Sequence, residues 1–508
     1  MEDAGSIPAG LPFPPSLWPQ WPRVRAEMPS PELVERAAGL RAAGDWRAAA
    51  ALLPATVDID LAAVRERFGA EAAAALEEDL RHLCLDLLWW HLPRHQGGRT
   101  TLQARVSAVL APPSDAGTAP LLRVHLPRSP TGAQRVRLDV VGLPDLEYER
   151  WYLAPRYTWD VRASGRLHAM WMQPRVYSLL SAGDFESAWR ECGIALDPDA
   201  LGNLQGAGAA PTNPVGVADL ALEAAAAFGV TEVSTILGAN LKLTVPADGP
   251  LTAEPFDPGE WLEVPVRIPT SSVPPDLALL TAGLLTPSDL HPLIRAALFP
   301  EAAPTPRAPL PEPPRNIGYF RAKCRGEWHR MSIRGGALQL HDHDEVEHTR
   351  EAALRALGGA SSGCFAIEEF WHRGRGRLPR ALHEHRRAVI HRLQHGDTEY
   401  LLAGLADGTI DPLMRAGNGW SLLHMVMWLD YERALPPLLA AGVPVDARDN
   451  VDRTPLYVGV MNGADPELLR LLCEAGADPR AETVHGVSAA AVARNYADGR
   501  DLSFMNGR

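Results

Sequence analysis

The spacing of apolar positions separates helical from strand-forming regions along the chain. From residue 29 onwards, PELVERAAGLRAAGDWRAAAALL breaks at Gly44, and AEAAAALEEDLRHLCLDLLWWHL carries apolar residues at spacings of three and four, as amphipathic helices do. We expect two helical hairpins here. Beyond them, TTLQARVSAVLA, PLLRVHLP and QRVRLDVVGL alternate apolar and polar residues between turn-forming breaks. This alternation predicts an antiparallel meander of three half-buried strands.

Both patterns continue to residue 299. They predict a helix over residues 217–228, strands in NLKLTVP and WLEVPVRIP, and further helix in PPDLALLTAGLLTPSDLHPLIRAALF. AGDW and AGDF, at 43–46 and 182–185, each place an aspartate where it can cap a helix, an explanation we favour over internal duplication. Residues 29–299 are therefore expected to form one or more α+β domains of a type that no motif identifies.

Proline marks two further segments. LPFPPSLWPQWP predicts an extended N-terminal arm over residues 1–28, and PEAAPTPRAPLPEPPR predicts a semi-rigid linker over residues 300–315. The linker separates the α+β region from a small α/β module at 316–380 and from a last, helical region at 381–508.

The small module is predicted to contain a hairpin followed by a helix. The hairpin turns at Gly335 and Gly336, and the helix in DEVEHTREAALRALGG begins after Asp344 and ends at Gly358. Its apolar side consists of Val346, Ala353, Leu354 and Leu357.

Two stretches near the C-terminus align at a fixed period. They are GWSLLHMVMWLDYERALPPLLAAGVPVDARD from Gly419 and DRTPLYVGVMNGADPELLRLLCEAGADPRAE from Asp452. Gly408, Gly442 and Gly476 recur every 34 residues at the ends of apolar segments, where a left-handed residue would end a helix. The phased SLLH and TPLY segments, together with these glycines, resemble ankyrin repeats from about residue 386 to 497.

The resemblance implies a binding scaffold. An ankyrin unit is a loop and two short helices that must stack on its neighbours to bury an apolar face, and such stacks have no chemistry of their own. The chain departs from the family pattern at Leu422, Asp452 and Tyr457, which stand for a proline, a glycine and a histidine. Partner contacts at the loop tips would fall on Arg448, Asn450, Val451, Arg480, Glu482 and His485. Partner contacts on the first helices would fall on Met425, Trp428, Val458 and Met461.

These four first-helix residues would be exposed in an isolated stack. Four large apolar side chains on a surface are typical of a protein interface. Alternatively, the N-terminal region of the chain covers them, since a short stack gains stability from extra burial. Both interpretations are open at the level of the sequence.

Composition narrows the classes of function. Hydrophobic residues at 46% and charged residues at 22% are typical of a globular protein, and no long uncharged apolar run is present. The net charge of −13 disfavours general binding to nucleic acid or to an anionic membrane. The start MEDAGSIPAG lacks the features of a secretory signal, so we expect a cytoplasmic protein. Only two lysines, with much Ala, Gly and Pro, suggest a high-GC bacterial genome and reduce the weight of arginine clusters.

One short stretch has the composition of a metal site. HDHDEVEH at 341–348 contains three histidines and four carboxylates, but His341, His343 and His348 are predicted on a strand end, a turn and a helix. Asp344 as N-cap and Glu347 three residues later explain the same stretch as a helix start. The five cysteines are far apart, and none forms a Cys-x-x-Cys pair. We expect a polar turn without metal, with a metal site at 341–348 as the alternative.

Two other motifs have simpler explanations. GASSG at 359–363 matches Gly-x-Ser-x-Gly, but a hydrolase nucleophile follows a strand and precedes a helix, whereas here a helix precedes and CFAIEEFW is predicted as a strand. The basic stretch at 371–396 is expected to form a solvated loop and helix face, with phosphate or an acidic partner as the alternative.

The sequence thus predicts an α+β N-terminal region with helical hairpins and a meander, a small α/β module, and a C-terminal all-α ankyrin stack. We expect a non-catalytic scaffold or adaptor that binds an unknown protein partner and needs no cofactor. The alternative is an enzyme whose active site lies within residues 29–299.

Overall fold

The computed structural model describes residues 11, 13, 18–95, 100–112, 118–130, 132–146, 150–205, 212–257, 264, 266–270, 274–302, 317–495 and 501–506. The chain forms two compact units. Unit 1 contains Met1–Pro130 and Arg135–Leu310, and unit 2 contains Thr131–Gln134 and Pro311–Arg508. The boundary at 310/311 falls in the segment predicted as a linker, of which residues 303–315 lie outside the described part.

The described part of unit 1 begins with the helices α1 (Trp21–Ala26), α2 (Pro31–Ala42), α3 (Trp46–Ala51), α4 (Leu61–Phe68), α5 (Ala70–His82) and α6 (Leu85–His91). The prediction of an extended arm is wrong for residues 21–26, because a proline at the first turn of a helix is tolerated and Pro22 stands there. Arg25 of α1 is buried and forms an ion pair with Asp276 at 2.5 Å. The second apolar stretch, AEAAAALEEDLRHLCLDLLWWHL, forms two helices, α5 and α6, with Cys84 between them; the Cys84 backbone N–H donates to the Trp159 carbonyl.

The predicted meander lies in a five-stranded sheet of order β1-β4-β3-β2-β5. Its strands are β1 (Ala55–Val57), β2 (Ser107–Leu110), β3 (Leu121–His125), β4 (Val136–Val141) and β5 (Trp151–Ala154). The pairs β2–β3 and β3–β4 are antiparallel, which confirms the meander. The expectation of half-buried strands is wrong for β2 and β3, which are buried on both faces: Ala108 and Leu122 belong to one hydrophobic cluster, and Val109 and Leu121 belong to another.

The second of these clusters lies between the first sheet and a second one, of order β10-β7-β8-β9-β6. Its strands are β6 (Ile194–Leu196), β7 (Glu232–Ile236), β8 (Leu241–Thr244), β9 (Leu251–Pro255) and β10 (Arg267–Pro269). The remaining helices of unit 1 are α7 (Leu167–Trp171), α8 (Pro174–Ser181), α9 (Phe185–Glu191), α10 (Pro198–Gln205), α11 (Val217–Phe228), α12 (Pro275–Thr281) and α13 (Pro292–Leu298). Asp45 and Asp184 cap α3 and α9 as expected.

Unit 2 begins with an antiparallel sheet of β11 (Phe320–Cys324), β12 (Glu327–Arg334) and β13 (Ala337–Leu340). The second hairpin turns at Gly335 and Gly336, as predicted. Helices α14 (Glu345–Ala356) and α15 (Gly363–Arg373) follow. Asp344 accepts a hydrogen bond from the Glu347 backbone N–H at 2.8 Å, which confirms the predicted cap.

The surface of α14 differs from the prediction. Val346, Leu354 and Leu357 are 74%, 41% and 85% exposed, whereas the buried residue of the helix is Glu351, which pairs with Arg325 at 3.3 Å. The apolar side of this helix is therefore not a core face. The segment CFAIEEFW is also not a strand, because Cys364 lies in the first turn of α15.

The rest of unit 2 is helical. Its helices are α16 (Arg380–Gln394), α17 (Thr398–Ala406), α18 (Leu422–Met425), α19 (Tyr431–Ala440), α20 (Pro455–Met461), α21 (Pro466–Glu474) and α22 (Ala489–Asn495). Gly408, Gly442 and Gly476 follow α17, α19 and α21 and have φ of 69°, 81° and 100°. The predicted role of these glycines, a left-handed residue at the end of each helix, is confirmed. One hydrophobic cluster extends from the sheet to the last helices, so the small module and the helical region share a core.

Among the described residues, no helix combines the length and the apolar character that crossing a membrane requires.

Candidate functional site

Successive loops of unit 2 are joined by hydrogen bonds between residues about one predicted repeat apart. The Asn450 N–H donates to the Asn418 carbonyl at 3.1 Å, and the Val484 N–H donates to the Val451 carbonyl at 3.2 Å. The second bond repeats, between the next pair of loops, the contact that the first bond makes. We call residues 415–420, 448–454 and 480–488 the repeat loops.

Arginine side chains reinforce this arrangement. Arg415 Nη1 donates to the Arg448 carbonyl at 2.6 Å, 33 residues on, and Arg448 Nη1 donates to the Glu482 carbonyl at 2.8 Å, 34 residues on. Each guanidinium therefore satisfies a carbonyl of the next loop. Such charge-assisted bonds are stronger than neutral ones, so the loops hold one another in a fixed relation.

The backbone of the repeat loops is also periodic. Gly419, Asp452 and Gly486 all have positive φ, of 86°, 61° and 68°. An aspartate tolerates this conformation better than most side chains, which explains how Asp452 occupies a position where the flanking loops have glycine. The buried Asp449 carboxylate accepts bonds from the Val451 and Arg453 backbone N–H groups and from Arg453 Nε. Burial acts against ionisation, but these bonds lower the pKa of Asp449 below its usual range.

A buried histidine joins the first helices to the next loop. His424 Nε2 lies 3.0 Å from the Arg453 carbonyl, and its Nδ1 accepts from the Ser421 backbone N–H. Burial lowers the pKa of His424 to about 4. The ring is therefore neutral at pH 7 and serves as a fixed bridge.

The predicted apolar patch on the first helices does not form. Met425, Trp428 and Val458 are 1%, 4% and 1% exposed and belong to the core of unit 2, and only Met461, at 46%, is on the surface. The helix α18 has four residues and continues as a 3-10 turn over Val426–Trp428, whose tighter winding alters the face on which Trp428 lies. The core that unit 2 builds from its own residues accounts for their burial, so cover by the N-terminal region is not needed to explain it.

The predicted loop-tip residues fall into two groups. Arg448 and Asn450 are engaged within unit 2, since Arg375 Nε donates to Asn450 Oδ1 at 2.8 Å, and Val451 is half-buried. Arg480, Glu482 and His485 are exposed. Two further tip residues are exposed apolar side chains that the sequence pattern did not single out: Val484 at 56% and Val487 at 37%. They flank Gly486, and a glycine that marks a turn was the sequence feature that could have placed these two residues at a loop tip.

The three histidines of the HDHDEVEH stretch have different partners in the fold. His341 Nε2 lies 2.7 Å from Ser332 Oγ, and Asp342 forms an ion pair with Arg330 at 2.9 Å. The Arg330 guanidinium lowers the pKa of Asp342 to about 2. The ring of His348 packs edge-on against Phe365. The three histidines do not converge on one point; His343 instead turns inward, towards side chains from other segments of unit 2.

The alternative of an enzyme in residues 29–299 has one buried candidate cluster among the described residues. Cys84, Asp86 and His291 place their polar atoms within 4.8 Å of one another. Asp86 accepts from Arg41 at 2.8 Å and faces His291 Nε2 at 3.0 Å, while the Cys84 thiol donates to it at 3.4 Å. Burial raises the pKa of Cys84, so this thiol is not activated as a nucleophile.

The two remaining motifs lie on the helices α15 and α16 and on the segments that adjoin them. GASSG connects the helix α14 to the helix α15, whereas the hydrolase motif needs a preceding strand. In the basic stretch, Arg373 forms an ion pair with Glu369 at 2.8 Å, and His372 Nε2 lies 3.0 Å from Asp411. These side chains serve contacts within unit 2.

In comparisons with known proteins, neither a family model nor a curated protein matches the chain.

Proposed function

We propose that the chain is a non-catalytic scaffold or adaptor whose C-terminal region is a short stack of ankyrin-type repeats that binds a partner protein. The single observation that carries this proposal is the series of hydrogen bonds between the repeat loops, at separations of 33 and 34 residues. Bonds at one repeat length between equivalent loops are what a stack of like units requires. The period of the predicted repeats supports the same interpretation.

The partner would bind the exposed end of the last repeat loop together with the adjacent helix. Val484, Val487 and Met461 supply exposed apolar area, and Arg480 and His485 add polar groups beside it. An apolar centre with a polar rim is the usual composition of a specific interface. Because the loops are held by internal hydrogen bonds, little conformational entropy would be lost on binding.

The proposal includes a cytoplasmic location and binding that requires no cofactor. Reduced cysteines fit a cytoplasmic protein, and the five cysteines form no disulfide. The net charge of −13 favours a protein partner over nucleic acid.

The test compares partner capture by the full chain and by a variant carrying Met461→Glu, Val484→Glu and Val487→Glu. All three positions are exposed, so the variant should fold, and circular dichroism checks this. A matched control carries Leu222→Glu and Leu284→Glu, at residues of unit 1 that are 47% and 51% exposed. Changes at Met425 or Trp428 are unsuitable because these side chains are buried.

We expect a protein that is captured by wild type and by the control, and lost by the triple variant. The captured protein is then purified, and its affinity for the full chain should fall at least tenfold in the triple variant. Equal affinity for all three chains would contradict the proposed surface.

A further inference from the structure

Four side chains from four separate segments of unit 2 converge at one buried point. Cys324, His329, His343 and Cys364 each offer one ligand atom, and these atoms all lie within 4.8 Å of one another. We call these residues the Cys2His2 cluster. Cys324 and His329 lie on the two strands of one hairpin, whereas His343 and Cys364 come from later segments, so folding is needed to bring the four together.

The strand pairing puts the first two members on one face of the sheet. Ala322 of β11 lies opposite His329 of β12, and residues directly opposite in an antiparallel pair share a face. Cys324 is two residues from Ala322 and therefore lies on that face too. The turn between the strands is tight, with Arg325 and Gly326 at φ of 51° and 94°.

The other two members come from a turn and a helix start. His343 follows β13, and Cys364 is the second residue of α15. Gly363 has φ of 59°, and a Cβ built on it would overlap the Cys324 sulfur and come within 3.1 Å of Cys324 Cα. A glycine is therefore required for α15 to begin against the end of β11.

The separations agree with one tetrahedral ion. With metal–sulfur and metal–nitrogen bonds of about 2.3 and 2.0 Å, tetrahedral ligand atoms lie roughly 3.3–3.8 Å apart. The atoms of the Cys2His2 cluster are all within 4.8 Å, and His329 Nδ1 is 2.8 Å from His343 Nε2. Side-chain adjustments of about 1 Å or less would reach the tetrahedral geometry.

The outer contact of His343 orients its ring for a cation. His343 Nδ1 lies 2.9 Å from Glu347 Oε2; a carboxylate only accepts, so Nδ1 carries the proton and Nε2 turns a lone pair towards the cluster. A carboxylate behind a ligand histidine is the usual second contact in zinc sites. The Glu327 carboxylate lies 3.9 Å from the outer Nε2 of His329, which is beyond hydrogen-bond distance.

Most of the cluster is shielded from solvent. Cys324 and Cys364 are 2% and 0% exposed, the His343 side chain is 1% exposed, and the His329 side chain is 17% exposed. The ring of Phe365 packs against His343 at 4.6 Å between centroids. Four protein ligands without an open position are typical of a structural site, whereas catalytic zinc keeps one position for water.

We propose that Cys324, His329, His343 and Cys364 bind one Zn²⁺ ion that fastens the β11–β12 hairpin to the start of α15. Two sulfur and two nitrogen ligands in this arrangement favour zinc among the common metals. The ion stabilises unit 2 and takes no part in a reaction. This site does not depend on the proposed partner binding, and the two are tested separately.

The first test is elemental analysis of the full chain, purified without a polyhistidine tag and dialysed against a weak chelator. We expect one zinc per chain, and less than about a tenth of that in Cys324→Ser and in Cys364→Ser. Two control variants should keep their zinc: Cys473→Ser, at a half-buried thiol of the same unit, and His341→Gln, next to the cluster in sequence but bonded to Ser332.

A wild-type chain that contains no zinc and takes up none from added zinc chloride would overturn the proposal. Zinc retained by both cluster variants, or another metal in its place in wild type, would overturn it as well.

A second measurement on wild type avoids dependence on the folding of the variants. Co²⁺ replaces zinc in the chelator-treated chain, and a tetrahedral cobalt–thiolate site gives strong visible absorption that added zinc removes. Thiols are also counted after denaturation without reductant. Five reactive thiols per chain agree with the site; three would indicate a Cys324–Cys364 disulfide and would overturn the proposal, as would cobalt without thiolate absorption.

Discussion

Each unit buries a cluster of cysteine and histidine, and the two clusters differ in what surrounds their polar atoms. In unit 1, Asp86 is bonded to Arg41 and faces Cys84 and His291, while His291 Nδ1 accepts from the Leu293 backbone N–H. The polar atoms of this cluster thus have hydrogen-bond or ionic partners within the protein. In the Cys2His2 cluster, two sulfurs and two ring nitrogens face one another, and the carboxylates stand outside. Similar residue types therefore support an internal ion-pair network in one unit and a cation site in the other.

Removal of metal should separate the two clusters most clearly. A strong chelator should lower the free energy of unfolding of unit 2 by about 5 kcal/mol or more, because binding energy at a structural zinc site contributes directly to folding. Unit 1 should be unaffected. Hydrogen exchange read by peptide checks this, with peptides from 320–372 compared against peptides from 80–95. Equal protection of the first group with and without chelator would contradict the difference.

Substitution inside the unit 1 cluster should have the opposite pattern. Asp86→Asn should destabilise unit 1 by about 3 kcal/mol, because Arg41 loses its buried ionic partner. The zinc content should stay at the wild-type value. Denaturant unfolding and elemental analysis of the same sample test both expectations, and loss of zinc here would show that the clusters are not independent.

A pair of glycine substitutions isolates the contact at the Cys2His2 cluster. Gly363→Ala and Gly358→Ala both place a side chain at positive φ, which costs about 1–2 kcal/mol, but a Cβ at Gly358 meets no atom within 4 Å. Gly363→Ala should therefore destabilise unit 2 by about 2 kcal/mol more than Gly358→Ala and should also reduce zinc binding. Thermal unfolding and metal content are measured for both variants. Equal effects of the two substitutions would show that the close approach of Gly363 to Cys324 does not matter for stability or zinc binding.

Acid should weaken unit 1 through a residue outside its cluster. Burial lowers the pKa of His91 to about 4, so the unfolded chain, with its histidine near 6.5, binds the proton first as the pH falls. The contribution of His91 to the free energy of unfolding of unit 1 is therefore fully present above about pH 7 and is lost towards pH 4. The loss is roughly 2.5 kcal/mol between pH 7 and 4.5. His91→Leu should remove most of this decline when unfolding of unit 1 is followed at both pH values. An unchanged pH dependence would contradict the assignment.

The smallest effect concerns the carboxylate behind His343. Glu347→Gln should weaken zinc binding about tenfold, or about 1.4 kcal/mol, because the amide orients the ring less strongly. Glu345→Gln, two residues earlier and exposed, should leave affinity unchanged. Competition with a chromogenic chelator measures both variants. Equal affinities would mean that Glu347 does not position the histidine.

Local patterns predicted a large part of the fold. The helix expected at 217–228 is α11, the meander is present, and Asp344 caps α14 as its spacing indicated. These features depend on neighbours in sequence, such as helix caps, apolar periodicity and turn glycines. Two of the incorrect predictions share a cause: α1 forms despite nearby prolines, and Cys364 lies in the first turn of a helix where a strand was expected. In both places a residue distant in sequence contacts the segment. Asp276 pairs with Arg25 of α1, and Cys324 at the end of β11 packs against Gly363 at the start of α15.

The candidate sites also have features that the sequence could predict and features that it could not. The period of the repeat loops could be read from Gly408, Gly442 and Gly476, because the end of each helix requires a left-handed residue within a few positions. The burial of Met425, Trp428 and Val458 could not be predicted from the sequence, because it depends on how a short helix and a 3-10 turn pack on their neighbours.

By itself, the sequence determined the secondary structure of many segments, the positions of the helix-ending glycines and the period of the repeat loops. These follow from backbone conformations and side-chain contacts over a few residues. Only the tertiary structure decided which apolar residues are exposed and which cysteines and histidines meet. Cys324 and Cys364 approach because strand pairing and a positive-φ glycine bring a hairpin end to a helix start, and no spacing along the chain encodes that distance.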